Sequence, residues 1–192
     1  MSAVAELKPL AATPATETAK AYLRPIDREG LLKFAAAGRA DPARRGINKV
    51  HTVMNGQFRS WSYVGIHNPV VVDEPLHLFG ENTAPAPGEI VLSALGGCLG
   101  VGITAVATLR QVKLSKLELF LEGDIGNPAA WGADGAKMEP PQMGFQQIRV
   151  KVVIEGDATR AELDDIVKHA NFYSPVANTM RNPVAFEISV AA

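Results

Sequence analysis

One thiol is available to this chain of 192 residues: Cys98, its single cysteine. A thiolate is a nucleophile and a redox centre, and peroxides take it first to a sulfenic acid. A cysteine enclosed by apolar groups is instead a small, inert hydrophobe. The residues around Cys98 do not by themselves choose between the two. Other chemistries find less to work with. His51, His67, His77 and His169 show no paired metal-ligand spacing. A single cysteine excludes a thiolate zinc cluster and an internal disulfide framework. Gly97 to Gly102 (GCLGVG) has the wrong glycine spacing for a dinucleotide loop and lies inside a helical stretch. No Gly-x-Ser-x-Gly elbow is present. The expected site therefore has no metal and no cofactor.

The element that must position Cys98 runs from Pro87 to Gln111, PGEIVLSALGGCLGVGITAVATLRQ. From Ile90 to Leu109 it carries no charge. Pro87 suits a first helical position, where its missing N–H needs no partner. Glu89 in the first turn and Arg110 in the last complement the helix dipole. A helix that is apolar on every side must be covered all round, by protein or by lipid. Its length alone would cross a bilayer. Its Gly, Ala and Thr content, the lack of a flanking Lys/Arg cluster and the amphipathic strands that follow favour a buried central helix. Gly96, Gly97, Gly100 and Gly102 would let other backbones approach closely, a gain that must offset their cost to the helix. A sheet covers only one side, so the rest of the cover points to a second subunit.

Length fits one domain with an appendage. Hydrophobic residues make up 47% of the chain, enough for a core without disulfides or metals. The net charge of −1, with no basic block, argues against nucleic acid or an anionic membrane surface as the main partner. The first twenty residues, MSAVAELKPLAATPATETAK, lack a basic-then-apolar signal pattern and read as a flexible start to a cytoplasmic protein.

Taken in order, Ile26 to Ala37 reads as a short helix capped by Asp27 and stopped by Gly38. Arg39 to Gly46 reads as a linker. Lys49 to Val64 reads as a hairpin with Asn55-Gly56 at its tip. A two-residue turn there pairs Met54 with Gln57 and Thr52 with Arg59. That puts Val50, Met54, Trp61 and Tyr63 on one face with Arg59. Val70 to Asp73 is a third strand. Lys116 to Glu122 alternates, with Leu117, Leu119 and Leu121 on one face. Phe145 to Glu155 alternates too, with Ile148, Val150, Val152 and Ile154 inward. These two strands should pair antiparallel. A long polar loop separates them. Thr159 to Glu162 is a capping box before an amphipathic helix. Ser174-Pro175 starts another helix, Asn182-Pro183 stops it, and Ala185 to Val190 is a closing strand. The fold class is α+β, with antiparallel sheets around a long buried central helix.

Two stretches, VDEPLHLFGENTAPAPGEIVLSALGGCLGVGI and NFYSPVANTM, resemble the OsmC/Ohr family of thiol-dependent hydroperoxide reductases. The resemblance covers about residues 49–192, with 1–48 as an N-terminal extension carrying the short helix. It implies an OsmC-like fold and an intertwined homodimer with two central helices packed together. It implies that Cys98 is a peroxidatic thiol acting on small apolar hydroperoxides. The second stretch matches the segment, often Cys-Pro-Val, that supplies the family's second cysteine. This chain has Ser174 there, and serine cannot close a disulfide. An external thiol could then resolve Cys98. Alternatively, the lineage lost peroxidase activity and kept the pocket, binding a small apolar ligand at the dimer interface, or Ser174 is an engineered replacement.

The resemblance also calls for an acid and an arginine near the thiol. The family's first-turn glutamate falls nearest Glu89. Nine residues at about 100° each put Glu89 on the helix face opposite Cys98, so it would reach a partner's cysteine or only complement the dipole. Arg59 is the thiolate-stabilising candidate through its face shared with Trp61 and Tyr63; the plainer reading is a snorkelling surface arginine.

Overall fold

The computed structural model describes residues 21–126, 131–132, 139 and 143–191. The expected flexible start lies outside the described residues, as does most of the expected polar loop. Four helices, α1 (Arg28–Ala40), α2 (Pro87–Leu109), α3 (Arg160–Tyr173) and α4 (Pro175–Arg181), accompany five strands. The strands are β1 (His51–Met54), β2 (Ser60–Tyr63), β3 (Val70–Val72), β4 (Leu114–Ile125) and β5 (Phe145–Gly156). They form two antiparallel sheets, ordered β1-β2-β3 and β4-β5. The architecture is α+β, as expected.

The β4-β5 sheet follows from its alternation. Leu117 faces Ile154, Leu119 faces Val152 and Leu121 faces Val150 across the ladder. Lys116, Glu118, Lys151 and Glu155 take the other side. The apolar side meets α2, whose buried residues Leu95, Leu99, Ile103 and Ala107 recur every fourth position. On a helix that spacing traces one stripe. The lower half of the stripe joins Leu114, Ile154, Leu163, Ile166 and Ala170 in the main core. The upper half packs with Ala177 and the far end of the sheet. Fully burying each of these large side chains contributes roughly 1.5–3 kcal/mol.

Of Gly96, Gly97, Gly100 and Gly102, Gly96 and Gly102 mark close approaches within the chain and Gly100 is in ordinary contact. A Cβ at Gly96 would lie 2.9 Å from Leu121, one at Gly100 3.8 Å from Leu119, and one at Gly102 3.3 Å from Ala170 of α3. A Cβ at Gly97 would meet nothing within 4 Å among the described residues. The expectation that α2 is covered all round therefore fails for the single chain. Val91 and Val101 on its outer side are 40% and 72% exposed.

Three further expectations are corrected. Gly38 does not stop the first helix, which runs on to Ala40 with Asp41 as its cap; Asp27 does cap its start, accepting from the Glu29 and Gly30 N–H groups. The hairpin turn is not two residues long. Asn55 N–H donates to Arg59 O at 2.8 Å, closing a five-residue loop in which Gly56 and Gln57 both take positive φ. Met54 then pairs with Ser60, and Val53 with Trp61. The register moves by three, an odd number, so the faces swap. Val53 and His51, not Met54 and Val50, stand opposite Trp61 and Tyr63. Finally, Ala185–Val190 forms no strand. Phe186, Ile188 and Val190 are 85–96% exposed, because among the described residues no strand lies beside them to complete a ladder.

Candidate active site around Cys98

A buried carboxylate sets where α2 begins. Asp73, fully buried at the end of β3, accepts from the Thr83 N–H at 2.9 Å and the Thr83 hydroxyl at 2.7 Å. It also accepts from the Glu74 and Glu81 N–H groups. These bonds draw residues 73–83 into a closed loop. Gly80 is obligatory within it, since a Cβ there would fall 1.9 Å from the Glu74 carbonyl. The Thr83 bonds, backbone first, hold the Asp73 carboxyl down to about 2, against the opposing effect of burial. The loop delivers the chain to Pro87. Glu89 then accepts from the Ala86 N–H at 2.8 Å, half of a capping box, because Ala86 has no acceptor to return.

Cys98 follows about two and a half turns later, half-buried. Its partner arrives from the other end of the chain. Thr159 and Glu162 close a full capping box at the start of α3, and the Thr159 bonds lower the Glu162 carboxyl from its ordinary range. Gly102 lets α3 approach α2 closely at Ala170. At the α3–α4 corner Ser174 is extended, with Pro175 opening α4. Asn178 pins the corner by donating to the Phe172 and Ser174 carbonyls at 2.8 and 2.9 Å. Ser174 is 2% exposed, and its hydroxyl bridges two groups. It accepts from the Ala177 N–H at 3.2 Å and donates to Cys98 Sγ at 3.2 Å, across 76 positions of sequence. With Ala177 holding one lone pair, the hydroxyl proton is directed at the sulfur.

Of the four residues singled out by sequence, the fold brings Cys98 and Ser174 together. Arg59 is elsewhere engaged: its guanidinium lies 3.8 Å from Glu81 and 6.0 Å from the Trp61 ring centroid. Its Nε is buried without a partner among the described residues. Glu89 is exposed at the first turn, beside a cavity of about 440 Å³ walled by Pro75, Leu78, Leu92, Trp131 and Phe145. Sequence reasoning passed over Asp73. Its signal was faint: one acid directly after three valines, with a threonine ten positions on in a loop of turn residues.

A family model described as OsmC-like protein matches residues 80–189, which include Cys98 and Ser174. Comparison with curated proteins finds no match. Among solved structures, an OsmC-like protein from Mycoplasma pneumoniae superposes with a TM-score of 0.60 at 15% identity, covering 72% of this chain and 89% of that one. An organic hydroperoxide resistance protein from Elizabethkingia anophelis gives 0.55 at 17%, covering 72% and 91%. An organic hydroperoxide resistance protein OsmC from Legionella pneumophila gives 0.50 at 21%, covering 72% and 90%. At these identities the likeness is one of fold.

Proposed function

Since the chain belongs to the OsmC-like family, we propose that it reduces organic hydroperoxides through Cys98, with an external thiol completing the cycle. The Cys98 thiolate attacks one oxygen of the O–O bond and becomes a sulfenic acid. The other oxygen leaves as an alkoxide and takes up a proton as an alcohol. An external thiol attacks the sulfenic sulfur, water leaves, and a second thiol releases Cys98 as a thiolate, leaving an external disulfide. Two solved structures of the same fold carry organic hydroperoxide resistance in their names, which supports this class of substrate.

The observation that carries the reading is the 3.2 Å contact between Cys98 and Ser174. It supports reading Ser174, in contact with the thiol, as the residue at the family's second-cysteine position. A serine there cannot form the internal disulfide, so resolution falls to a thiol from outside. Arg59 and Glu89 keep supporting roles only if a second subunit brings them to Cys98. The working form is a homodimer, because the outer side of α2 is apolar and uncovered in one chain. A plain assay decides the activity. Cumene hydroperoxide should be consumed with dithiothreitol or a dihydrolipoyl thiol by the wild type and not by Cys98→Ala; equal rates end the proposal.

One observation favours a second reading, that of a non-catalytic binding module. The cavity of about 440 Å³ beside Glu89 has apolar and aromatic walls, the character of a small-ligand site. A peroxide-inert Cys98 together with an apolar ligand co-purifying with the protein would select it.

A further inference from the structure

The residues just before α1 lie outside the family match, which begins at residue 80, and form one side of a pocket whose other side is the end of α2 and the start of β4. Leu23 N–H donates to Leu114 O at 2.7 Å, and Arg28 Nε donates to Leu109 O at 3.4 Å. These bonds hold the segment against the last turns of α2, enclosing a cavity of about 340 Å³. Its floor is Ala107 and Leu114, 1% and 5% exposed. Leu23, Pro25, Ile26 and Val112 form apolar walls.

The charge of the lining is one-sided. Arg24, Arg28 and Lys113 line the cavity, and among the described residues no aspartate or glutamate does. Among the described residues no carboxylate forms an ion pair with any of the three; Asp27 caps α1 and Asp157 accepts the Lys113 N–H. The negative end of α2 explains one of these cations, Arg28, which donates to its last carbonyl. It does not explain Arg24. An apolar hollow with a cationic rim matches a molecule with an aliphatic body and an anionic head.

We propose that this pocket binds a free aliphatic carboxylate, its chain against Ala107, Leu114 and Ile26 and its head beside Arg24. The site stands apart from Cys98, so it can be tested without any redox assay. Titration calorimetry of the full chain with decanoate should give saturable binding, and decyltrimethylammonium, with the same tail and the opposite head, should not bind. Arg24→Glu, on an exposed side chain, should weaken decanoate binding about fivefold, the size of a rim charge. Ile26→Glu should weaken it further by spoiling the wall, and Cys98→Ala should bind as the wild type does. Uptake of both amphiphiles alike, no saturable uptake of decanoate, or an Arg24→Glu affinity equal to the wild type would overturn the proposal.

Discussion

At the scale of single residues the decisive pair is Cys98 and Ser174. The motif likeness alone proposed that these positions meet; periodicity and composition carry no information about a contact 76 positions apart. What the sequence did show was local: Ser174 before Pro175 as a helix start, and Glu89 on the far side of the helix from Cys98. It read serine as a cap and nothing more, whereas the hydroxyl serves Ala177 N–H and the sulfur at once. Ser174→Cys should therefore close a disulfide, since the existing contact is already 3.2 Å and the corner is pinned by Asn178. One equivalent of cumene hydroperoxide should remove two hydrogens from the intact mass. The variant should also resist the over-oxidation to which a lone sulfenic acid is prone. Sulfinic adducts on Cys98, with the new thiol still free, would show that the two side chains do not meet in solution.

At the scale of elements, pattern reading succeeded where a segment is covered by its own chain and failed where it is not. The alternation of β4 and β5 and the capping box of α3 gave their faces and starts. The Asn-Gly signal misled, because Asn55 bonds back to Arg59 and lengthens the turn, and no residue pattern distinguishes a two-residue turn from that loop. Two element-level predictions follow from contacts the sequence did not expose. Gly102→Val should destabilise by about 1–3 kcal/mol, because even a Cβ would sit 3.3 Å from Ala170; denaturant unfolding measures it. Asp73→Asn should lower the thermal midpoint at pH 7, since an amide offers one acceptor oxygen where a carboxylate offers two to the loop. The acid limb tests the same group. A carboxyl held at about 2 against an ordinary 3.8 stabilises fully above about pH 4 and loses that contribution as pH falls towards 2. The variant should lack that part of the acid-induced loss of stability.

At the scale of the whole molecule, the apolar surface of one chain is an unfinished core. The outer side of α2 presents Val91, Ala94, Gly97 and Val101, spaced three or four apart, which on a helix is a single stripe. Gly97 has no neighbour at its Cβ position among the described residues, unlike Gly96 and Gly102, so its helix cost of about 1 kcal/mol relative to alanine has no offset there. A facing helix would supply one. Residues 184–190 alternate Val184, Phe186, Ile188 and Val190 with smaller or polar residues, a strand pattern exposed for want of a neighbour. The β1-β2-β3 sheet likewise has strand edges that the chain leaves open. All three features find cover if two copies pair through α2, as the family resemblance implied, and also exchange strands. Light scattering should then give about twice the 20.4 kDa chain mass at micromolar concentration. Val101→Arg places a charge on the exposed stripe and touches none of the intrachain core, so it should leave helix content intact while halving the mass. In that variant the backbone amides of 184–190 should exchange with solvent far faster than in the wild type, because their strand partner is gone. A wild-type mass of one chain, or fast exchange across 184–190 in both proteins, would rule the pairing out.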